Sequence, residues 1–238
     1  MSLWGEDELA IIFGGVGIAI GWYGAGGGAV MQAEKESTNR TGGYDAKLIA
    51  DRPARLQTIL DDFSEIEGIG MRKSEDRDIS KALEYVDLVH GSEYVNLLKK
   101  KCSETNIPTR LNPLYARTLI DKNSYNAAID AVQDWLDGVD AAMDESSRPL
   151  FALSRPPGHH ACRSKGMGGC LLNNAAIAAF YALNQSGVER VAILDIDAHH
   201  GNGIAHCIQD EPKICYCSIH EGKHGSNKPF VEQKVTED

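Results

Sequence analysis

Short apolar runs alternate with amphipathic stretches along the central part of the chain. Ser124–Met143 carries apolar residues at helical spacing, which predicts a long helix with one buried face. Leu150–Ser154 and Val191–Ile196 are apolar runs that give way to polar residues, as is typical of strands buried in a parallel sheet. Strand-like runs that alternate with helical stretches predict an α/β fold of three layers with a central, mostly parallel sheet.

The first half of the predicted domain is mainly helical. Arg52–Phe63 opens near a proline and carries apolar residues on one face, which predicts a helix. Ile79–Lys101 predicts further helix and turn. His90 lies in this second region, and its apolar neighbours favour a packing or helix-end histidine over a metal ligand.

The glycine-rich segment Ile11–Met31 is uncharged and long enough to cross a bilayer as a helix. Its many glycines weaken any helix, and the acidic residues before it do not fit a secretory signal. Two interpretations stay open: a membrane anchor or packing helix, and a disordered leader, which the glycine content favours. We expect a glycine-rich leader and linker at residues 1–44 and a folded domain at residues 45–238.

Composition limits the classes of function. The 238 residues are 42% hydrophobic and 24% charged, which suits one ordinary globular core. A net charge of −10 argues against a surface that binds nucleic acid directly and is compatible with basic partners such as lysine-rich tails. The 6 cysteines form no C-x-x-C pair, so we predict core thiols in a reducing compartment, the cytoplasm or the nucleus, rather than disulfides or a metal knuckle.

Histidines and carboxylates follow both of the predicted central strands. Residues two apart on an extended chain point to one side, so Asp195, Asp197 and His199 would project together where their strand ends. A carboxylate beside an imidazole suits a zinc-like divalent ion. Asp195 lies deeper and is better placed as the hydrogen-bond partner of an imidazole. His159 and His160 follow the other strand, so both motifs should meet at the carboxyl edge of the sheet.

Each motif alone has a simpler interpretation. A single His-His pair is often a surface or core pair, and a single Asp-x-Asp-x-His can be a solvated strand end. Here both motifs follow buried strands and are flanked by glycines that allow close backbone approach. Together they favour a metal-dependent site.

The motifs resemble those of the zinc-dependent histone deacetylase family, which shares its fold with arginases and includes acetylpolyamine and acetoin-utilisation relatives. The resemblance is close and runs from Asp51–Leu56 through Val89–Val95 to Ser218–His220, which covers most of the chain. The resemblance implies an arginase/deacetylase fold and zinc-dependent hydrolysis of the acetyl-lysine amide in histones or other proteins. The central motifs are RPPGHHA at 155–161, G-x-C-x-x-NN at 168–174 and LDIDAHHGNG at 194–203.

The resemblance also implies ion-binding residues. Asp197 and His199 match two ligands of the family's catalytic zinc. The family binds a monovalent cation close to that metal, and the resemblance implies K⁺ here. The positions that match the monovalent site are Asp195, Asp197, His199 and Ser218.

Catalytic roles follow from the same resemblance. His160 matches the general base that later protonates the leaving amine, and His159 matches a neighbour that acts mainly through its charge. Asp195 matches the partner of His159, and Asn202 matches the partner of His160. Asn rather than Asp at that last position is closer to the second class of these enzymes.

The chain departs from the family pattern in two places. The third metal ligand, an Asp, and the carbonyl-polarising Tyr follow the Ser-x-His strand in the family, and this sequence stops at Asp238 before either. Residues 221–238 are polar and predict an irregular loop, so we expect a C-terminally incomplete domain. Within the substrate channel, Gly168 is followed by Gly169 where the family usually has a Phe, so the channel should lose an aromatic wall.

Three functions remain open on this basis. The first hypothesis is a zinc-dependent lysine deacetylase, which the intact histidine and aspartate motifs favour. The second is a catalytically impaired deacetylase-like fragment that acts as a binding module, which the unmatched third ligand and Tyr favour. The third keeps the chemistry but acts on a small acetylated amine, such as an acetylpolyamine. The sequence does not indicate an oligomeric state.

Overall fold

The computed structural model describes an α/β fold. It describes residues 9–14, 18–22, 30–33, 53–65, 70–72, 78–106, 109–112, 118–143, 150–221 and 229–234. The helices are α1 (Pro53–Ser64), α2 (Ser80–His90), α3 (Ser92–Ser103), α4 (Ser124–Met143), α5 (Asn174–Leu183) and α6 (Asn202–Ile208). The strands are β1 (Leu9–Gly14), β2 (Ile18–Trp22), β3 (Val30–Ala33), β4 (Gly70–Arg72), β5 (Thr109–Arg110), β6 (Leu119–Ile120), β7 (Leu150–Leu153), β8 (Arg190–Asp195), β9 (Ile214–Glu221) and β10 (Pro229–Lys234).

The main sheet has 8 strands in the order β10-β9-β8-β1-β2-β7-β3-β4. Parallel pairing joins β9 to β8, β8 to β1, β7 to β3 and β3 to β4. Antiparallel pairing joins β10 to β9, β1 to β2 and β2 to β7. The predicted α/β class with a mostly parallel sheet is therefore confirmed, and β5 and β6 form a separate small hairpin-like pair.

The glycine-rich segment contributes strands rather than a helix. β1 and β2 pair with each other, β1 pairs with β8, and β3 pairs with β7. Both the helical and the disordered interpretation are wrong for these strands. Each glycine weakens a helix by about 1 kcal/mol, whereas strand pairing lets neighbouring strands satisfy the backbone groups. The predicted linker at residues 34–44 lies outside the described residues, and the division of the chain at residue 44 stays a prediction.

Within the part of the chain that the structure describes, no helix is both long enough and apolar enough to span a membrane.

The segment after His220 differs from the predicted irregular loop. β9 continues to Glu221, and β10 pairs antiparallel with it along its whole length, from Pro229 opposite Glu221 to Lys234 opposite Tyr216. The loop prediction is wrong for residues 229–234, because a parallel edge strand leaves unpaired backbone groups that an extended polar segment can satisfy. Sequence polarity did not reveal this pairing.

Helix α4 forms the centre of the core, as its apolar spacing predicts. It packs against α2, α5, β2 and β7. Trp135 and Leu136 are fully buried on it, and the indole N–H of Trp135 donates to the Ser154 hydroxyl at 3.2 Å. This bond ties α4 to the residue that follows β7, where the chain enters the loop carrying His159 and His160.

Candidate metal and catalytic site

The two motifs meet where β7 and β8 end. His159 Nδ1 lies 3.1 Å from Asp195 Oδ2, and His159 Nε2 lies 3.8 Å from Asp197 Oδ1. The rings of His159 and His160 are 4.0 Å apart, and those of His160 and His199 are 5.9 Å apart. The structure therefore brings the predicted histidines and aspartates into one cluster at the carboxyl ends of these strands, where parallel sheets place their ligands.

Asp195 is the buried centre of this cluster. Its side chain is 0% exposed and accepts three hydrogen bonds. The donors are the His159 ring, the Tyr216 hydroxyl at 3.2 Å and the backbone N–H of Asp197 at 3.1 Å. A buried carboxylate needs such partners, because leaving it without them would cost several kcal/mol.

His160 has a neutral partner. Its Nδ1 lies 2.7 Å from Asn202 Oδ1, and because an amide oxygen only accepts, Nδ1 carries the hydrogen and Nε2 is the unprotonated nitrogen. Burial lowers the pKa of His160, the neighbouring His159 lowers it further, and the bond to Asn202 opposes both. The ring is thus held neutral with a defined tautomer.

The approach of Asn202 to His160 depends on a glycine. A Cβ at Gly203 would lie 2.5 Å from the carbonyl oxygen of Ala161 and 2.5 Å from the carbonyl carbon of His160. These are backbone atoms that cannot turn aside, so only glycine lets the start of α6 pack on this loop. The backbone N–H of Ile204 also donates to His159 O at 3.1 Å, which holds the two segments together.

Asp197 and His199 lie at the open side of the cluster. The His199 backbone N–H donates to Asp197 Oδ1 at 2.8 Å, and His199 Nδ1 lies 3.1 Å from the same oxygen. The His199 side chain is 70% exposed, whereas that of Asp197 is 15% exposed. Burial acts to raise the pKa of Asp197, but the His199 backbone bond and the nearby His159 outweigh it, so the pKa lies below its ordinary value.

Ser218 and Tyr216 come from β9. Ser218 is buried and lies opposite Asp195 in the sheet. Its Oγ atom is 2.8 Å from His220 Nδ1. Tyr216 accepts the Gly201 backbone N–H at 3.0 Å and donates to Asp195. Sequence reasoning missed Tyr216, although its place two residues before Ser218 puts both on one face of the strand.

Gly168 and Gly169 form the centre of a tight turn. Their φ values are 62° and 87°, and Met167 and Cys170 bridge across them. Two successive positive φ values are typical of a type I′ turn and favour glycine at both positions. A Cβ at Gly168 would lie 2.4 Å from His160 Cδ2, whereas a Cβ at Gly169 would meet no atom of the described residues within 4 Å. The turn packs on His160, and the loss of a channel wall at Gly169 stays a prediction.

His90 supports the loop from the end of α2. Its Nδ1–H faces the carbonyl oxygens of Cys162 and Arg163, each at 3.0 Å, and its Nε2 accepts the Asn173 backbone N–H at 2.9 Å. Burial lowers the pKa of His90 to about 4, although the two carbonyl acceptors oppose the shift. His90 is a packing histidine, as predicted, and its hydrogen bonds to the loop backbone were not visible in the sequence.

Glu221 and His224 are two further residues of ligand type that follow Ser218 in the sequence. Glu221 ends β9, and its backbone N–H donates to Ala198 O at 2.9 Å. His224 lies outside the described residues. Among the residues that the structure describes, no three His, Cys, Asp or Glu side chains form a group able to hold a metal ion.

Known proteins are similar to this chain in sequence and in fold. The family model of the histone deacetylase domain matches residues 49–235. Human polyamine deacetylase HDAC10 is 32% identical over 214 residues, which cover 87% of this chain and 31% of that protein. An uncharacterized protein of Synechocystis sp. is 49% identical over 137 residues, which cover 58% of this chain and 43% of that protein.

A solved structure agrees. The crystal structure of the HDA15 HD domain matches with a TM-score of 0.69 at 27% identity, and the match covers 84% of this chain and 56% of that chain. The chain spans less than half the length of the curated relatives named above. The matched residues contain the histidine and aspartate motifs of the cluster, and the chain belongs to the histone deacetylase family.

Proposed function

We propose that this chain carries the chemistry of a zinc-dependent lysine deacetylase, hydrolysing the acetyl-lysine amide of histones or other proteins. The observation that carries the proposal is the His160–Asn202 bond of 2.7 Å beside the Asp197–His199 pair. It offers an unprotonated imidazole nitrogen next to two potential metal ligands. Amide hydrolysis needs both a proton acceptor and a polarised carbonyl.

His160 is the proposed general base. Hydrolysis adds water to the carbonyl carbon and breaks the C–N bond, giving acetate and the lysine amine. The unprotonated Nε2 accepts the proton that the attacking water loses. The same nitrogen then returns this proton to the departing amine, so His160 ends the cycle unchanged. Its lowered pKa keeps the acceptor form populated at neutral pH.

His159 acts through its charge and its position. Its two ring nitrogens face Asp195 and Asp197, so the ring is oriented by carboxylates rather than by a neutral group. Its proposed contribution is electrostatic, toward negative charge that develops on the substrate. Asp195 is proposed as the residue that orients His159, and Asn202 as the residue that orients His160.

The geometry of Asp197 and His199 fits one edge of a zinc site. Their Oδ1 and Nδ1 atoms lie 3.1 Å apart, and a carboxylate oxygen beside an imidazole nitrogen is a donor set that would hold a zinc ion. When bound, the ion supplies Lewis-acid polarisation of the substrate carbonyl. We propose Zn²⁺ for these two residues and K⁺ for Asp195, Asp197, His199 and Ser218.

A small acetylated amine is the second candidate substrate. Several relatives that match the chain are named polyamine deacetylases. A non-catalytic binding module is the third candidate, because the described residues supply two metal ligands rather than the three usual for catalytic zinc. Direct nucleic-acid binding is not proposed, given the net charge of −10.

We propose the cytoplasm or the nucleus as the compartment. All 6 cysteines are free in the structure, which supports a reducing environment. Fractionation of cells that express the tagged chain tests this proposal, and recovery from an oxidising secretory compartment would overturn it.

Metal content and hydrolysis measured together test the function. The chain and a His160→Ala variant are assayed for bound zinc, for hydrolysis of an acetyl-lysine peptide and for hydrolysis of N-acetylputrescine. Stoichiometric zinc with peptide turnover that the variant loses supports the lysine deacetylase. Turnover of N-acetylputrescine alone moves the proposal to the small amine. Neither metal nor turnover above the variant contradicts both enzymes and favours the binding module.

A further inference from the structure

The side-chain amide of Asn202 has different partners at its two ends. Its Oδ1 faces His160 Nδ1 at 2.7 Å. Its Nδ2 faces two sulfur atoms, Met167 Sδ at 3.6 Å and Cys162 Sγ at 3.7 Å. All four side chains are partly buried.

The two sulfurs favour the nitrogen end of the amide. A thioether has no hydrogen, so Met167 can accept a hydrogen bond but cannot donate one. Cys162 does have an S–H group, and that group points to the carbonyl oxygen of His160 at 3.9 Å. The sulfur of Cys162 is thereby left to accept from Asn202. An amide oxygen turned toward these sulfurs would face lone pairs, whereas the amide nitrogen finds two weak acceptors.

The orientation of this amide decides which nitrogen of His160 carries the hydrogen. With Oδ1 toward His160, Nδ1 must donate and Nε2 is free to accept a proton. With the amide turned over, Nδ2 would donate to Nδ1, and the ring hydrogen would move to Nε2. A base whose nitrogen already carries a hydrogen cannot accept the proton of the attacking water.

We propose that Cys162 and Met167 are positioning residues that hold the amide orientation of Asn202 and so select the Nδ1–H tautomer of His160. The structural part of this proposal stands on the contacts alone. Its kinetic consequence rests on the proposed function of His160 as the base.

Two consecutive tight turns place the sulfur atoms of Cys162 and Met167 beside Asn202. In the first, the backbone N–H of Cys162 donates to Lys165 O at 2.9 Å, and in the second, that of Cys170 donates to Met167 O at 2.9 Å. Arg163 holds the first turn through its guanidinium, which donates to Cys207 O at 2.5 Å and to Val89 O at 3.5 Å. The loop is therefore held to the ends of two helices, and the sulfurs cannot easily move away from Asn202.

The test measures the tautomer of His160 directly. The metal-free protein is labelled with ¹⁵N-histidine, and the His160 ring nitrogens are observed at pH 8 in the wild type, in Met167→Leu, in Cys162→Ala and in the double variant. Met143→Leu is the matched control, because Met143 is a partly buried methionine at the end of α4 that packs on the core. The control separates loss of a sulfur acceptor from the general effect of a Met-to-Leu change.

The wild type and Met143→Leu should both show the Nδ1–H tautomer. The double variant should show a several-fold larger Nε2–H population, and its kcat on the acetyl-lysine peptide should fall by about threefold to tenfold with KM unchanged. Cys162→Ser keeps an acceptor and should stay close to wild type. An unchanged tautomer in a double variant that unfolds at the same temperature as Met143→Leu would overturn the proposal.

Failure of the proposed function has a different signature. If the tautomer shifts in the double variant but the wild type turns over no acetylated substrate, the positioning role stands and the deacetylase proposal fails. If the wild type turns over the peptide and the tautomer does not respond to either sulfur, the deacetylase proposal stands and the positioning role fails.

Discussion

His159 and His160 are adjacent in the chain and their rings lie 4.0 Å apart, yet their surroundings are opposite in character. Carboxylate oxygens of Asp195 and Asp197 face both nitrogens of His159. A neutral amide, that of Asn202, faces His160. The difference arises because the end of β8 supplies the partners of one ring and the start of α6 supplies the partner of the other.

This contrast suits different roles for the two rings in the proposed hydrolysis. A ring held by carboxylates suits a fixed electrostatic role, whereas a ring held by an amide can gain and lose a proton without working against a neighbouring negative charge. Pairs of titratable groups whose environments differ are a common source of acid–base assignments. Four substitutions test how the buried histidines differ in their surroundings.

The largest effect should come from removal of the His160 ring. His160→Ala leaves the His159–Asp195 pair intact but deletes the proposed base, so kcat on an acetyl-lysine peptide should fall by about 10²–10⁴. Steady-state kinetics measure the loss, and a circular dichroism spectrum like that of the wild type shows that the fold is kept. A variant that retains more than half of the wild-type kcat would refute the base assignment.

Asp195→Asn should act mainly on stability. Asp195 is fully buried and accepts from the His159 ring, Tyr216 and the Asp197 backbone. An amide there turns N–H groups toward donors, so the free energy of unfolding should fall by about 2–4 kcal/mol. Urea denaturation measures it against Asp210→Asn, a change at an exposed position. Equal stability of the two variants would contradict the central place of Asp195.

Asn202→Ala should affect the other histidine alone. The variant loses the acceptor for His160 Nδ1, and loss of such an orienting partner typically reduces activity about 10- to 100-fold. The ¹⁵N signals of His160 should then report a mixture of tautomers, while those of His159 stay as in the wild type. If the His159 signals change equally, the two histidines are not independently oriented, and the comparison drawn above is wrong.

The smallest effect should be on the pH dependence of stability and concerns His90, which supports the site loop. Burial lowers the pKa of His90 to about 4. The histidine of the unfolded chain has a pKa of about 6.5, so it binds a proton more readily than His90 in the folded protein. The contribution of neutral His90 to the free energy of unfolding is therefore complete above about pH 6.5 and is lost as the pH falls toward 4. The loss should approach about 1.4 kcal/mol per pH unit.

Urea denaturation at pH 7, 6 and 5 measures this dependence. His90→Gln should remove the His90 contribution to the slope, whereas His206→Gln, at an exposed histidine of α6, should keep it. An identical slope in wild type and His90→Gln would show that His90 does not stay neutral in the folded protein. Protonation also conflicts with the Asn173 backbone N–H that Nε2 accepts, which is the local reason for the expected loss.

The sequence predicted those features that depend on local pattern. Helix α4 follows from the spacing of its apolar residues, and β7 and β8 follow from short buried runs that end in polar residues. The meeting of His159 with Asp195 could be expected because both lie at the carboxyl ends of parallel strands. The family assignment also came from local motifs, and the match over residues 49–235 confirms it.

Other features depend on contacts between distant segments. From sequence, the segments that form β1, β2 and β3 were predicted to be a glycine-rich leader. Nothing in their own residues shows that β1 pairs with β8 and β3 with β7. The segment that forms β10 was predicted to be a polar loop for the same reason. Its partner is the edge strand β9, which its own sequence does not indicate. Tyr216 and the bonds of His90 were missed because their partners lie on other elements.

The α/β class, the family and the residues that carry the proposed chemistry follow from motif spacing and apolar periodicity, which are properties of neighbouring residues. The surroundings of each histidine depend on the tertiary fold. Two adjacent rings on one loop acquired carboxylate partners in one case and an amide backed by two sulfurs in the other. Asp195 lies 36 positions along the chain from His159, and Asn202 lies 42 positions from His160, so only folding could bring these pairs together.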